Sequence, residues 1–188
     1  MDQGAATMNK IEQIIDTTIG KEGGYANHPD DKGGETMWGI TKVVARRNGY
    51  YGEMRSMPRP TAVDIYTREF FTGPQFDKVL QRSIPLAEEL FDTGVLSGPG
   101  TASRFLQVAL NGFNNQGKLY GDIATDGAIG KGTLAALDAY LDKRGASAVV
   151  VMMRALNSQQ GAYFLDISQT REANESFTFG WFLNRVVI

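Results

Sequence analysis

The stretch Glu22-Gly23-Gly24-Tyr25-Ala26-Asn27-His28-Pro29-Asp30-Asp31-Lys32-Gly33-Gly34-Glu35-Thr36-Met37-Trp38-Gly39-Ile40-Thr41 decides how this chain is read. It begins where a helix must stop. Upstream, Met8, Ile11, Ile14, Ile15 and Ile19 recur about three and four apart, which predicts an amphipathic helix from Thr7 to Gly20. Glu22 followed by Gly23 and Gly24 closes it, because paired glycines are poor helix interior and good C-terminal punctuation. From Tyr25 to Ile40 the chain is dense in Gly, Asn, Asp and Pro and has no helical period, so an ordered loop or short irregular hairpin is expected. Thr41 then stands as the N-cap of a helix carrying Val43, Val44 and Ala45.

Outward from this stretch the signals are helical. A second irregular run, Gly49 to Pro60, precedes a helix predicted from Thr61 to Phe71, capped by Thr61 and broken by Gly73 and Pro74. Further helices are expected over Ile84 to Leu90, Thr101 to Leu110, Gly132 to Leu141, Ala146 to about Asp166, and Glu175 to Val187. The apolar run Ala148 to Met153 goes to a helix on length and context. The fold class is therefore mainly α, with a small irregular β or loop region near residues 25–40. Gly94, Gly98, Pro99 and Gly100 mark a soft boundary, dividing a part over 8–91 from one over 92–188. No flexible linker separates them, so the two parts are expected to pack as one compact body, which 188 residues can fill.

Composition narrows the chemistry. A formal net charge of -2 gives no basic field to draw nucleic acid or anionic lipid. No apolar run reaches the length of a membrane span. Residues 1–7 have neither the basic nor the apolar region of a secretion signal, so synthesis in the cytoplasm is expected. Cysteine is absent, which excludes disulfides, thiolate nucleophiles and cysteine zinc sites. The only histidine is His28, beside Pro29 and expected to be exposed. Hydrolytic or acid–base work thus falls to Asp and Glu.

The quoted stretch supplies them in a suggestive order. Glycoside hydrolysis needs one protonated carboxyl to donate to the leaving oxygen and an ionised group to position water or stabilise positive charge. A glutamate at a helix C-terminus faces the negative end of the dipole, which raises its pKa and suits a general acid. Glu22 has that place. On composition alone the loop could equally be a solvated turn over Asp31-Lys32-Gly33-Gly34. Calcium fits less well, because the alternating oxygen ligands ending in a Glu are missing. Tyr25 and Asn27 could contact a sugar ring and its acetamido group, or could shield Glu22 and brace the loop. Trp38 points either to the core or to the cleft. Asp126-Gly127 with Gly130 and Thr133 reads as a turn into an N-capped helix, and Trp181 as core.

The pattern Glu-Gly-Gly-Tyr-x-Asn-x-Pro-x-Asp-x-Gly-Gly-x-Thr-x-x-Gly-Ile-Thr, filled from Glu22 to Thr41, resembles the signature of glycoside hydrolase family 108. Those proteins are N-acetylmuramidases of phage endolysins and bacterial proteins once labelled secretion activators. The resemblance implies a lysozyme-like α fold with Glu22 as catalytic acid. Asp31 and Thr36 further resemble the Glu, Asp, Thr order of phage-type lysozymes, in which they act around the attacking water. Glu35 is a competing carboxylate that the pattern does not fix.

Later blocks are similar to the peptidoglycan-binding-type helical module that usually follows. They are Phe91-Asp92, Leu106-Gln107 with Ala109-Leu110-Asn111, and Asp126-Gly127 with Ile129-Gly130 and Thr133-Leu134. Phe179-Gly180-Trp181 with Arg185 fits the family's ending. Leu96 replaces a common Asn, and Phe70-Phe71 replaces a Tyr-Trp pair; both departures bear on sugar contacts. The resemblance implies cleavage of the MurNAc–GlcNAc β-1,4 bond of peptidoglycan without metal or cofactor; a monomer is the default expectation, and the charge and the lack of a membrane span speak against nucleic-acid and membrane partners. Holin-type release to the wall would follow. A lytic transglycosylase, or a non-catalytic wall-binding or secretion-helper protein, is the alternative.

Overall fold

Nine α-helices and one two-stranded hairpin make up the described residues of the computed structural model, which are 3–22, 24–27 and 34–186, with backbone only for 3–7, 21 and 22. Helix α1 (Gln3–Glu22) starts earlier than its periodicity indicates and ends at Glu22, where the glycines stop it. Its apolar stripe, Ile11, Ile14, Ile15 and Ile19, is buried. That stripe packs on helix α3 (Arg59–Ile65) and the π-helical turn Tyr66–Thr72 that continues it.

Helix α3 corrects the expected cap. It opens at Arg59 after Pro58, not at Thr61, and Pro60 falls in the first turn, where a missing N–H leaves no intrahelical bond unmade. The π turn closes with the Gly73 N–H donating to the Arg68 carbonyl at 2.9 Å. Tyr66 and Phe71 are both fully buried, and each packs its ring against Phe91. Fully burying such a ring contributes roughly 1.5–3 kcal/mol. Helix α4 (Phe76–Leu80) was not legible in the sequence. Its entrance, Gln75, is left-handed at φ 64° without being a glycine.

Helix α5 (Ile84–Ser97) is capped by Ser83, whose Oγ accepts from the Leu86 N–H at 3.5 Å. It runs past the expected end at Leu90 and straight through Gly94. A Cβ there would stand 3.2 Å from the Phe76 ring and 3.4 Å from Pro99, so this glycine permits close packing and does not end a helix. The chain turns only at Gly98, φ 88°, into α6 (Pro99–Phe113). Helices α7 (Lys131–Arg144), α8 (Ala148–Thr170) and α9 (Glu175–Arg185) follow, and α8 packs against α5, α6, α7 and α9. One buried cluster runs from Ile11 to Leu156, from α1 to α8.

The turn before α7 is fixed from below. Gln107, 1% exposed, donates its amide to Asp126 Oδ1 (2.9 Å), the Ala128 carbonyl (3.0 Å) and Thr133 Oγ1 (3.3 Å). Its oxygen accepts from the Gly127 N–H at 2.8 Å. Helix α7 has Gly130 at its N-cap and no side-chain cap, so the expected N-capping is not found, and the buried amide fixes the turn that leads into the helix.

Candidate functional site

The loop after α1 is closed at its base by two backbone hydrogen bonds between Ala26 and Thr36, 3.0 and 2.8 Å long. Thr36–Met37 (β1) then folds back on Ile40–Thr41 (β2), with Thr36 opposite Thr41 and Met37 opposite Ile40. The two residues between, Trp38 and Gly39, both have positive φ (56° and 76°), the signature of a type I′ hairpin turn. A bulky side chain in that conformation costs roughly 1–2 kcal/mol. Two hydrogen bonds hold it there. The Trp38 indole N–H donates to the Met57 carbonyl at 3.0 Å, and the buried Tyr66 hydroxyl donates to the Trp38 carbonyl at 2.9 Å. Thr41 caps α2 (Lys42–Arg47) as the sequence predicts, accepting from the Val44 N–H at 3.2 Å.

Glu22 is the last residue of α1, and its side chain lies outside the described residues, as do Asp31 and His28. Thr36 pairs through its backbone with Ala26, and among the described residues its hydroxyl makes a long 3.5 Å contact to the same carbonyl. Asn27 is exposed on the loop just past the Ala26 bridge. The Tyr25 hydroxyl donates to Glu35 Oε1 at 3.0 Å, and the Arg55 guanidinium lies 3.9 Å from the centre of its ring. Trp38 is half-buried at the hairpin turn.

Glu35, the competing carboxylate, is held in place. Lys42 Nζ donates to its Oε2 at 2.8 Å. That bond and the Tyr25 bond keep its carboxyl below the usual glutamate range, with Lys42 the larger cause. A carboxylate so engaged is an anchor for the loop, not a proton donor. Lys42, Arg46, Tyr51, Glu53 and Arg55 surround it around a cavity of about 390 Å³. Lys42 had a signal in the sequence: a cation in the first turn of a helix opposes the dipole and calls for an acidic partner. Arg55 had none.

A second recess, about 190 Å³, lies between α1 and α5, lined by Ile14, Thr17, Thr18, Glu88 and Asp92. Thr18 precedes Glu22 by one helical turn. Asp92 accepts from Arg185 Nη1 of α9 at 2.7 Å, a contact that ties α5 to the last helix and that sequence reading missed. Beyond Arg185 opens a cavity of about 460 Å³ lined by Leu96, Ser176, Phe177, Gly180, Trp181 and Asn184. Trp181, expected in the core, is half-buried. One ring contact, 5.2 Å to Phe164, goes inward, and the residue also lines this cavity. Of the two departures from the family pattern, Phe71 is wholly buried and cannot meet a sugar, whereas Leu96 lines the α9 cavity. Among the described residues no group of three or more His, Asp or Glu could hold a metal ion.

A mainly α body, an acid- and glycine-rich loop closed at the end of its first long helix, and a helical C-terminal part give the chain a lysozyme-like fold. The chain carries a glycosyl hydrolase family 108 region: residues 15–98 match the family described as Glycosyl hydrolase 108, and residues 101–186 match the one described as Predicted Peptidoglycan domain. Among solved structures, the one titled "Structure of Brucella abortus SagA" matches with a TM-score of 0.69 and 23% identity, over 93% of this chain and 88% of that one. At that identity the match speaks to the fold. No curated protein matches.

Proposed function

We propose that this peptidoglycan-active glycoside hydrolase is an N-acetylmuramidase that cleaves the β-1,4 bond between N-acetylmuramic acid and N-acetylglucosamine. The observation that carries the reading is the closed loop base. By pairing with Ala26, Thr36 returns to within a few residues of Glu22, with Asp31 on the loop between them. Glu22 protonates the departing oxygen, while Asp31 and Thr36 orient the water that attacks the anomeric carbon. Tyr25 and Asn27, on the same loop, are the candidate sugar contacts. The division of labour follows the chain: residues 8–91 carry the chemistry and 92–188 grip the wall, packed as one body and acting as a monomer. Endolysin action, with release to the wall after the inner membrane is breached, suits such an enzyme.

The test is a mass spectrum of the soluble fragments released from purified sacculi, run beside Glu22→Gln. Reducing N-acetylmuramic ends are expected, with the rate falling about a hundredfold to ten-thousandfold in the variant. Anhydro-muramic ends would make the enzyme a lytic transglycosylase. No fragments from either protein would leave a wall-binding role.

A further inference from the structure

We infer that the cavity on α9 is a remote subsite for one neutral N-acetylhexosamine ring of the glycan strand, reached along α5 from the catalytic loop. This rests on the peptidoglycan reading above. Phe177 and Trp181, four apart on α9, set near-parallel rings (20°, centroids 6.0 Å) along one wall of the cavity. Leu96 adds an apolar side chain to the lining, and Gly180 leaves room in it, with nothing within 4 Å of where a Cβ would stand. A pyranose has an apolar C–H face and a polar rim. Aromatic rings suit the first, and the Ser176 hydroxyl and exposed Asn184 amide suit the second.

Charge selects the ligand further. The one cation in the lining, Arg185, is 8% exposed and already bonded to Asp92 at 2.7 Å. A neutral sugar therefore fits better than an anionic peptide stem, which would have to compete with Asp92 for the guanidinium. The same ion pair sets the route. Asp92 lines the α1–α5 recess with Thr18, one turn before Glu22, and Arg185 lines the α9 cavity, so the two recesses meet across this bond. A strand held at the catalytic loop and passing along α5 would have a later ring arrive at Trp181.

The experiment titrates a β-1,4-linked N-acetylglucosamine tetramer into the ¹⁵N-labelled full chain. The chain has two tryptophans, so Trp38 and Trp181 give separable indole N–H signals, assigned with Trp181→Phe. Gly180→Leu fills the cavity while raising helix propensity, so it is expected to fold. Asn184→Ala, at an exposed position, is the second variant. In the unaltered chain the Trp181 signal should shift saturably at millimolar ligand. Gly180→Leu should abolish that shift and raise KM on long glycan strands about fivefold to tenfold at unchanged kcat, with Asn184→Ala weakening both in the same sense. An unmoved Trp181 signal, or a shift untouched by Gly180→Leu, overturns the subsite. The two readings fail separately. Sacculi cleaved to reducing muramic ends with Trp181 silent would remove the subsite alone, and a Trp181 shift without such ends would remove the muramidase alone.

Discussion

Two turns in this molecule use the same parts to opposite ends. Gly34-Glu35 and Asp126-Gly127 each set a carboxylate beside a left-handed glycine, φ 64° and 79°. Both carboxyls are held below their ordinary range. At Glu35 the largest cause is the Lys42 side chain and the next is the Tyr25 hydroxyl. At Asp126 it is the backbone N–H of Ala128, followed by the buried Gln107 amide. The surroundings differ as sharply. A Cβ on Gly34 would meet nothing within 4 Å, whereas one on Gly127 would stand 2.7 Å from the Gly100 carbonyl oxygen. The second turn is packed into the body. The first is tied by partly exposed side chains, as suits the substrate-admitting loop proposed above.

The largest effect should follow from breaking the packed turn. Gly127→Ala adds a left-handed strain of roughly 1–2 kcal/mol and a backbone clash with Gly100 of similar size, about 3 kcal/mol together. Gly34→Ala carries only the strain, about 1 kcal/mol. Urea unfolding of both variants measures the difference, and equal midpoints would erase the distinction between the turns. Gln107→Ala should behave like Gly127→Ala, because it removes the buried amide whose hydrogen bonds hold the turn, one of them to the buried Thr133, at a cost of about 1–3 kcal/mol.

The tied turn should respond in activity instead. Lys42→Met and Glu35→Gln remove an exposed pair, which contributes little to folding, so the unfolding midpoint should hardly move. Hydrolysis of sacculi should nevertheless fall, by about tenfold, because the loop that carries Asp31 loses its anchor at Tyr25 and Lys42 and its groups are no longer aligned. A variant that loses stability but keeps its rate would reverse the assignment.

The sequence reads well where local rules decide and poorly where packing does. The stripe of α1, its stop at Glu22 and the Thr41 cap depend on spacing and on residue type, and each stands where those rules put it. Helix α4 is five residues entered through a left-handed Gln75, and its reason for existing is the burial of Phe76, Val79 and Leu80, which only the assembled core supplies. Gly94 looked like punctuation because a glycine that ends a helix and one that admits a Phe76 ring are alike in sequence. The site divides in the same way. The motif picked out the loop, but Arg55 over Tyr25 and Asp92 on Arg185 join residues 30 and 93 positions apart (55 − 25 and 185 − 92), beyond any local signal.

The finest difference between the turns lies in what salt does to each carboxyl. Both folded values lie below the unfolded one. Each ionised carboxylate therefore favours the folded form above the ordinary carboxylate range, and that contribution is lost as the pH falls through the lowered value. ¹³C-carboxyl NMR titration of the intact protein should find both transitions displaced to acid at low salt. At about 1 M salt, where screening acts over ~3 Å, Glu35 should move back towards its ordinary value, because its main partner is a half-exposed ammonium. Asp126 should stay, because backbone and amide donors carry no net charge to screen. Lys42→Met should shift Glu35 in the same direction without added salt and leave Asp126 untouched. If salt moved both carboxyls alike, the turn at Glu35 would be held as the turn before α7 is, and the contrast drawn from Lys42 and Tyr25 would fail.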